Sequence, residues 1–193
     1  MDEYNELPQE GEEMEEPRRP GAELYEWLQL FLGCVVAAVV LFNCVARLSR
    51  VDGSSMDNTL QDGEIMLIWS LGDTPEQGDI VVLTQESYQE DSIVKRVIAT
   101  EGQKVDIDYT SGRVYVDGQY LREDYIREQM LLPQYGEGLN HVTVPEGCVF
   151  VMGDNRNHSA DSRFPAIGIV DVRCVIGHGV AVVFPFHHWK GLG

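Results

Sequence analysis

The stretch Ser92–Thr100, SIVKRVIAT, decides how the second part of this 193-residue chain is read. Ile93, Val94, Val97 and Ile98 are β-branched and suit a pleated, half-buried surface. Successive side chains of a strand point to opposite faces, so Lys95 lies with Ile93 and Val97, and Arg96 with Val94 and Ile98. One of two adjacent cations must therefore sit on a largely apolar face. A lysine so placed either snorkels past the sheet edge or remains desolvated, and this stretch alone leaves both readings open.

Outward from it, the chain after Ser49 is a series of short β-rich runs: EIMLIW (64–69), DIVVLT (79–84), KVDID (104–108), RVYVDG (113–118), HVTV (141–144), CVFVMG (148–153) and VIGHGVAVVFPF (175–186). Val114 with Val116, and Val105 with Ile107, give the alternation of half-buried strands, while TSG and VDGQ supply turn residues. No sustained helical periodicity follows Arg50, and no internal repeat is present. The expected domain is mostly β, antiparallel, a small barrel or packed sheets. The polar stretch from about Arg122 to Asn140 reads as an insertion or long loop.

Toward the N-terminus the texture changes. Residues 27–46, WLQLFLGCVVAAVVLFNCVA, carry no charge, and at ~1.5 Å per residue they cover a hydrocarbon core of roughly 30 Å. Tyr25 and Trp27 suit one interface, and Arg47 and Arg50 reach the other. A cleaved signal peptide is the competing reading, but the leader is acidic where a signal peptide is basic, and the apolar run is too long. Arginines stand on both sides of the run, so charge does not decide its orientation.

The leader itself, Met1–Glu26, holds ten Asp or Glu against Arg18 and Arg19. It reads as a solvated, disordered tail. The net charge of -18 excludes phosphate-backbone binding as the main activity, because that needs clustered Lys and Arg. The length allows one modest domain with attachments. The resulting organisation is an acidic tail over 1–24, a transmembrane helix over 25–48 and a strand-rich domain over 49–193. Cys34 and Cys44 fall in the apolar run as small hydrophobic residues. Cys148 and Cys174 are compatible with a disulfide or with two buried thiols. No cysteine or histidine spacing points to a metal, and the neighbours His187 and His188 project in different directions.

Three places have chemical potential. In VDGSSMDNTL (51–60), two serines follow a glycine whose permissive backbone allows close approach to a substrate. Local chemistry does not choose between Ser54 and Ser55. Lys95 is the second: a free lysine titrates near ~10.4, and burial lowers this by up to ~3–5 units, enough to make the amine a usable base at neutral pH. A serine beside such a lysine is an activated nucleophile without histidine. The third is GDNRNHSADSR (153–163), where Asp154, Arg156, Asp161 and Arg163 alternate in sign after an apolar strand. His158 lies here too, without a partner spacing that suggests a triad.

GSSMDNTL directly after an apolar run, VKRVIATEGQKV about forty residues later, and GDNRNHSADSR near the end together resemble the type I signal peptidase (leader peptidase) family in its short, Gram-positive-like bacterial form. The resemblance runs from the anchor to about residue 185. It implies a membrane-bound Ser/Lys endopeptidase whose domain of coiled, barrel-like antiparallel sheets lies outside the membrane, with the acidic N-terminus in the cytoplasm. Ser55, followed by Met56, matches the nucleophile; its backbone N–H matches the oxyanion donor. Lys95 matches the general base and Arg96 its paired arginine. Ser159 matches the hydroxyl that orients the lysine amine. Asp154 is expected to meet Arg96, and Asp161 to meet Arg163.

Two positions depart from the family pattern. Asn58 stands where the family usually has proline, and the loop is expected to keep its path regardless. Gly53 replaces a serine that in some members donates to the oxyanion. The implied reaction is removal of signal peptides from secreted preproteins after Ala-x-Ala-type junctions through an acyl-enzyme, without cofactor or metal, by a monomer whose partners are preproteins and the bilayer, with no nucleic acid. Two other readings share parts of this pattern: a soluble-type Ser/Lys autoprotease, and a tethered β-domain that binds extracytoplasmic peptides without cutting them.

Overall fold

The computed structural model describes residues 21–72, 74–85, 89–131, 133 and 139–192. The acidic tail expected over 1–24 therefore lies almost wholly outside the described residues. The chain divides after Val39 into a helical unit and a strand-rich unit.

The helical unit is α1, Ala22–Val40. Glu23–Val45 forms a 23-residue apolar span with mean hydropathy 2.4, long enough to cross a membrane. Its large apolar side chains, among them Trp27, Leu30 and Phe31, are exposed. A water-soluble helix would bury that surface, whereas a membrane span presents it to lipid.

The expected helix bounds of 25–48 shift. A π-turn covers Leu41–Val45, and Ala46–Arg50 is strand β1. The apolar run ends at Ala46; beyond it Arg47, Ser49 and Arg50 do not belong in hydrocarbon, and the backbone finds partners instead on β2, Ile65–Trp69.

The strands that follow are β3 Ile80–Gln85, β4 Gln89–Thr100, β5 Lys104–Asp108, β6 Arg113–Val116, β7 Gln119–Tyr120, β8 His141–Thr143, β9 Cys148–Met152, β10 Val170–Asp171, β11 Val175–Phe184 and β12 Lys190–Gly191; all but the two-residue β7, β10 and β12 fall on the predicted runs. Every pairing among the described residues is antiparallel. The larger sheet runs β1-β2-β11-β3-β4-β9-β10 with β12 on β11, and the smaller runs β7-β6-β5-β8. Among the described residues the pairing is thus that of two sheets, and it shows no closure into a barrel. The VDGQ turn is a two-residue hairpin loop in which Asp117 (φ 53°) and Gly118 (φ 76°) both take the left-handed conformation that matches strand twist.

Three apolar clusters hold this unit. One joins the smaller sheet to β4 and β9 through Ile98, Val105, Val114 and Phe150. A second packs Met56 and Leu60, from the loop after β1, against Met66, Ile80 and Val82. The third lies on the opposite face of β3 and β4, around Val81, Leu83 and Val97. Cys148 and Cys174 are free thiols at the margins of these clusters.

Candidate active site

The loop between β1 and β2 carries both serines, and its shape follows from where its apolar residues go. Met56 and Leu60 are fully buried, and the Thr59 and Leu60 N–H groups donate to the Met56 carbonyl, so one tight turn is pinned into the core. Gly53 takes φ 86°, open to glycine without strain, and its N–H donates to Asp62 Oδ1 at 2.9 Å. Ser55 is left half-buried at the end of the turn. Its backbone N–H meets no acceptor among the described residues.

Asn58 differs from expectation. Its φ is 91°, a value closed to proline, whose ring fixes φ near −65°. The loop therefore does not keep a path that proline could take at this residue. Asn58 sustains it with a side-chain bond instead: Nδ2 donates to the Tyr125 carbonyl at 3.1 Å.

Lys95 and Arg96 are both buried, at 3% and 8% exposure, so neither snorkels. Lys95 Nζ donates to Ser55 Oγ and to the Val94 carbonyl, each at 2.8 Å. Burial lowers the Lys95 pKa from 10.5 to about 8, against the opposing pull of Asp161 and Asp154 and with a smaller push from Arg163. On the other face of β4, Arg96 makes a two-pronged pair with Asp154, Nε to Oδ1 at 2.9 Å and Nη2 to Oδ2 at 2.8 Å, and gives its third nitrogen to the Gly78 carbonyl. Thr59 donates to the same Asp154 carboxylate.

The loop after β9 supplies the remaining groups. Asp161 and Arg163 form a second two-pronged pair, at 2.8 and 2.7 Å, with both side chains almost fully buried. Burial alone would raise the Asp161 carboxyl, but Arg163 and the Gly153 N–H hold it below the ordinary carboxylate range. Ser159 is buried with its Oγ packed over Gly153, beside the Ser55 carbonyl. His158 is exposed.

Sequence reasoning passed over several groups here. Asn155 clips the serine pair, its N–H donating to the Ser55 carbonyl and its Nδ2 to the Ser54 carbonyl, both at 3.0 Å. In the sequence nothing local distinguishes it from Asn157, and both are ordinary turn-type residues. Glu123, in the stretch read as an insertion, is buried against Arg156. Its partner lies 33 positions away, beyond any local pattern.

A cleft of about 550 Å³ lies between residues 49–53 and 92–95, with Ser55, Met56 and Lys95 in its wall. On one side β4 pairs with β3 along this length, but its pairing to β9 begins only at Arg96. The opposite backbone edge of Ser92–Lys95 faces the cleft. A chain laid along it would find backbone donors and acceptors in strand register. A hydroxyl held by a desolvated amine, beside an unengaged N–H and an open strand edge, suits acyl transfer from a peptide.

Comparison with known proteins agrees with that chemistry. The family model described as "Signal peptidase, peptidase S26" matches residues 24–184. The chain is 38% identical over 178 residues to a probable signal peptidase I-1 from Synechocystis, covering 87% of this chain and 86% of that one. It is 33% identical to a signal peptidase I from Bacillus licheniformis, covering 85% and 90%. To a signal peptidase IB from Staphylococcus aureus it is 32% identical, covering 87% and 93%.

Proposed function

Since the chain belongs to the family of signal peptidases, peptidase S26, we propose that Ser55 is the nucleophile and Lys95 the general base with which it removes signal peptides from preproteins. The observation that carries this assignment is the 2.8 Å contact between Lys95 Nζ and Ser55 Oγ, with the amine buried and its pKa lowered to about 8.

The preprotein segment before the cut lies along the open edge of β4, where main-chain pairing gives affinity and shallow apolar contacts admit small residues of the Ala-x-Ala type. Neutral Lys95 takes the hydroxyl proton as Ser55 Oγ attacks the scissile carbonyl carbon. The Ser55 N–H donates to the oxyanion; Gly53, already committed to Asp62, does not. The protonated lysine then gives its proton to the departing amine. A water activated by the same amine cleaves the acyl ester and restores the serine.

The other groups set geometry. Ser159 orients the lysine amine, Met56 anchors the serine turn in the core, and the pairs Arg96–Asp154 and Asp161–Arg163 brace the two loops. The apolar helix anchors the chain in a bilayer with the acidic N-terminus cytoplasmic and the domain of 49–193 extracytoplasmic, where translocated preproteins are met. The enzyme acts as a monomer.

The test is cleavage of a preprotein panel bearing Ala-x-Ala junctions by full-length protein in detergent. Ser55→Ala and Lys95→Ala are expected to abolish product, while Ser54→Ala retains most of it, since among the described residues only the Ser54 carbonyl is engaged. Undiminished cleavage by Ser55→Ala would sink the assignment. Absence of cleavage by the parent protein would favour a peptide-binding module.

A further inference from the structure

Residues 121–131 leave the smaller sheet after β7 and cross both loops of the site. At one end Met130 is buried in the apolar cluster of the smaller sheet, its carbonyl pressed against Gly112, where a Cβ would collide. At the other, the Glu123 carboxylate pairs with the Nη2 of fully buried Arg156, whose Nε donates to the Gly153 carbonyl at 3.0 Å. Between these ends the segment touches each part of the site's frame. The Tyr125 carbonyl accepts from Asn58, and its ring covers the Arg96 guanidinium at 4.0 Å. Arg127 pairs with Asp57 at 2.8 Å, and its N–H donates to the Asp154 carbonyl at 3.1 Å. Asn157 ties the tail of the segment through Glu128 and the backbone of Gln129 and Leu131.

Two of these contacts fall on Asp57 and Asn58, the residues that follow Ser55-Met56. One falls on Arg96, next to Lys95. The ring shields one face of the arginine from water, and a cation over an aromatic face is itself attractive. The Arg127–Asp57 pair is partly exposed and adds little to stability. Its effect is on where the turn stands. The contact with Asn58 tethers to another segment a residue whose φ of 91° proline could not adopt.

We propose that Asn58, Tyr125 and Arg127 are positioning residues of a strap that fixes Ser55 relative to Lys95 from outside the site. The proposal rests on the reading that these two residues perform the chemistry. Small misplacement of reacting atoms is costly in rate without affecting substrate affinity, so the strap's signature lies in kcat.

The test is steady-state cleavage of an internally quenched peptide with an Ala-x-Ala junction by the full chain in detergent, with thermal midpoints measured in parallel. Asn58→Gly keeps the backbone freedom and loses the amide; Tyr125→Leu removes the ring; Arg127→Gln removes the charge. Each is expected to lower kcat about tenfold, with KM within about twofold and the midpoint nearly unchanged, while Tyr125→Phe restores the parent kcat. Parent kinetics in all three, or a fall in kcat matched by loss of folded protein, overturns the strap. If that happens while Ser55→Ala is inactive, the strap alone fails. Full activity in Ser55→Ala removes the nucleophile and the strap together.

Discussion

Lys95 Nζ stands 2.8 Å from Ser55 Oγ, inside a wall that leaves the lysine 3% exposed. The distance is short enough for direct proton transfer between them, and burial lowers the pH at which the amine is free to accept a proton. With the pKa lowered to about 8, the amine is mostly protonated at pH 6 and mostly neutral at pH 9. The profile of log kcat/KM is expected to rise with unit slope through acid pH and to level off near pH 8. A profile flat from pH 6 to 9 would exclude Lys95 as the base.

The same burial has a stability consequence of known sign. In the unfolded chain Lys95 titrates at 10.5, and in the folded protein at about 8, so between these values the unfolded state holds the extra proton. Below about pH 8 the folded state carries the cost of a desolvated ammonium; stability from this group rises as pH climbs from 8 to 10.5. Lys95→Met, apolar and similar in length, removes that cost together with two hydrogen bonds. At pH 7 it is expected to be more stable by on the order of 2 kcal/mol, and to be inactive. Thermal unfolding in detergent checks this, and the gain should shrink toward pH 10.

The site was legible in the sequence where chemistry repeats locally and illegible where it depends on distant partners. Alternation in SIVKRVIAT brought out Lys95 and Arg96 and placed one of them on an apolar face, but it left snorkelling and burial open, and both side chains are buried. Arg96 escapes exposure because Asp154, 58 positions away, meets it with both oxygens. The longer strands followed from β-branched runs and turn residues, and the turn at Asp117-Gly118 from its composition, while the two-residue strands β7, β10 and β12 carry no such run. The joining of the strands into two sheets did not follow, because β11 pairs with β2 and β3 across a hundred residues. The strap from 121 to 131 was the least visible, having no apolar period to announce it. Even with the π-turn to Val45 counted, the helical segment ends three residues before the expected Leu48, because Arg47 is as acceptable at an interface as in an edge strand.

Asp154→Asn separates two roles of one carboxylate. It leaves the buried Arg96 without its counter-charge, which costs roughly 3–5 kcal/mol, so the thermal midpoint should fall by many degrees. Asp154 also draws the Lys95 pKa upward. For the molecules that remain folded at low temperature, the acid limb of kcat/KM should therefore move below pH 8. A midpoint within a degree or two of the parent would contradict the burial of the pair, and a limb that moves upward would contradict its electrostatic sign.

Gly153→Ala is the smallest change predicted to disable the site. A Cβ at this position would enter the space of Ser159 Oγ and Cβ on one side and the Ser55 carbonyl oxygen on the other. Gly153 does not take a positive φ, so the requirement is for space and not for backbone freedom. Its N–H and carbonyl are both engaged, by Asp161 and by Arg156, so the residue has no easy direction in which to retreat. Overpacking of this kind costs ~1–3 kcal/mol in stability. The larger effect should be on rate, because displacing the Ser55 carbonyl turns the hydroxyl away from Lys95, and a misplacement near 1 Å can cost about a hundredfold. Cleavage assays should show kcat down by about that factor. Gly102→Ala provides the contrast: that glycine has φ 79° and nothing within 4 Å, so the substitution strains a distant turn and leaves kcat unchanged. Equal losses of kcat in the two variants would mean that Gly153 matters through general stability and not through contact with the loop that carries Ser55.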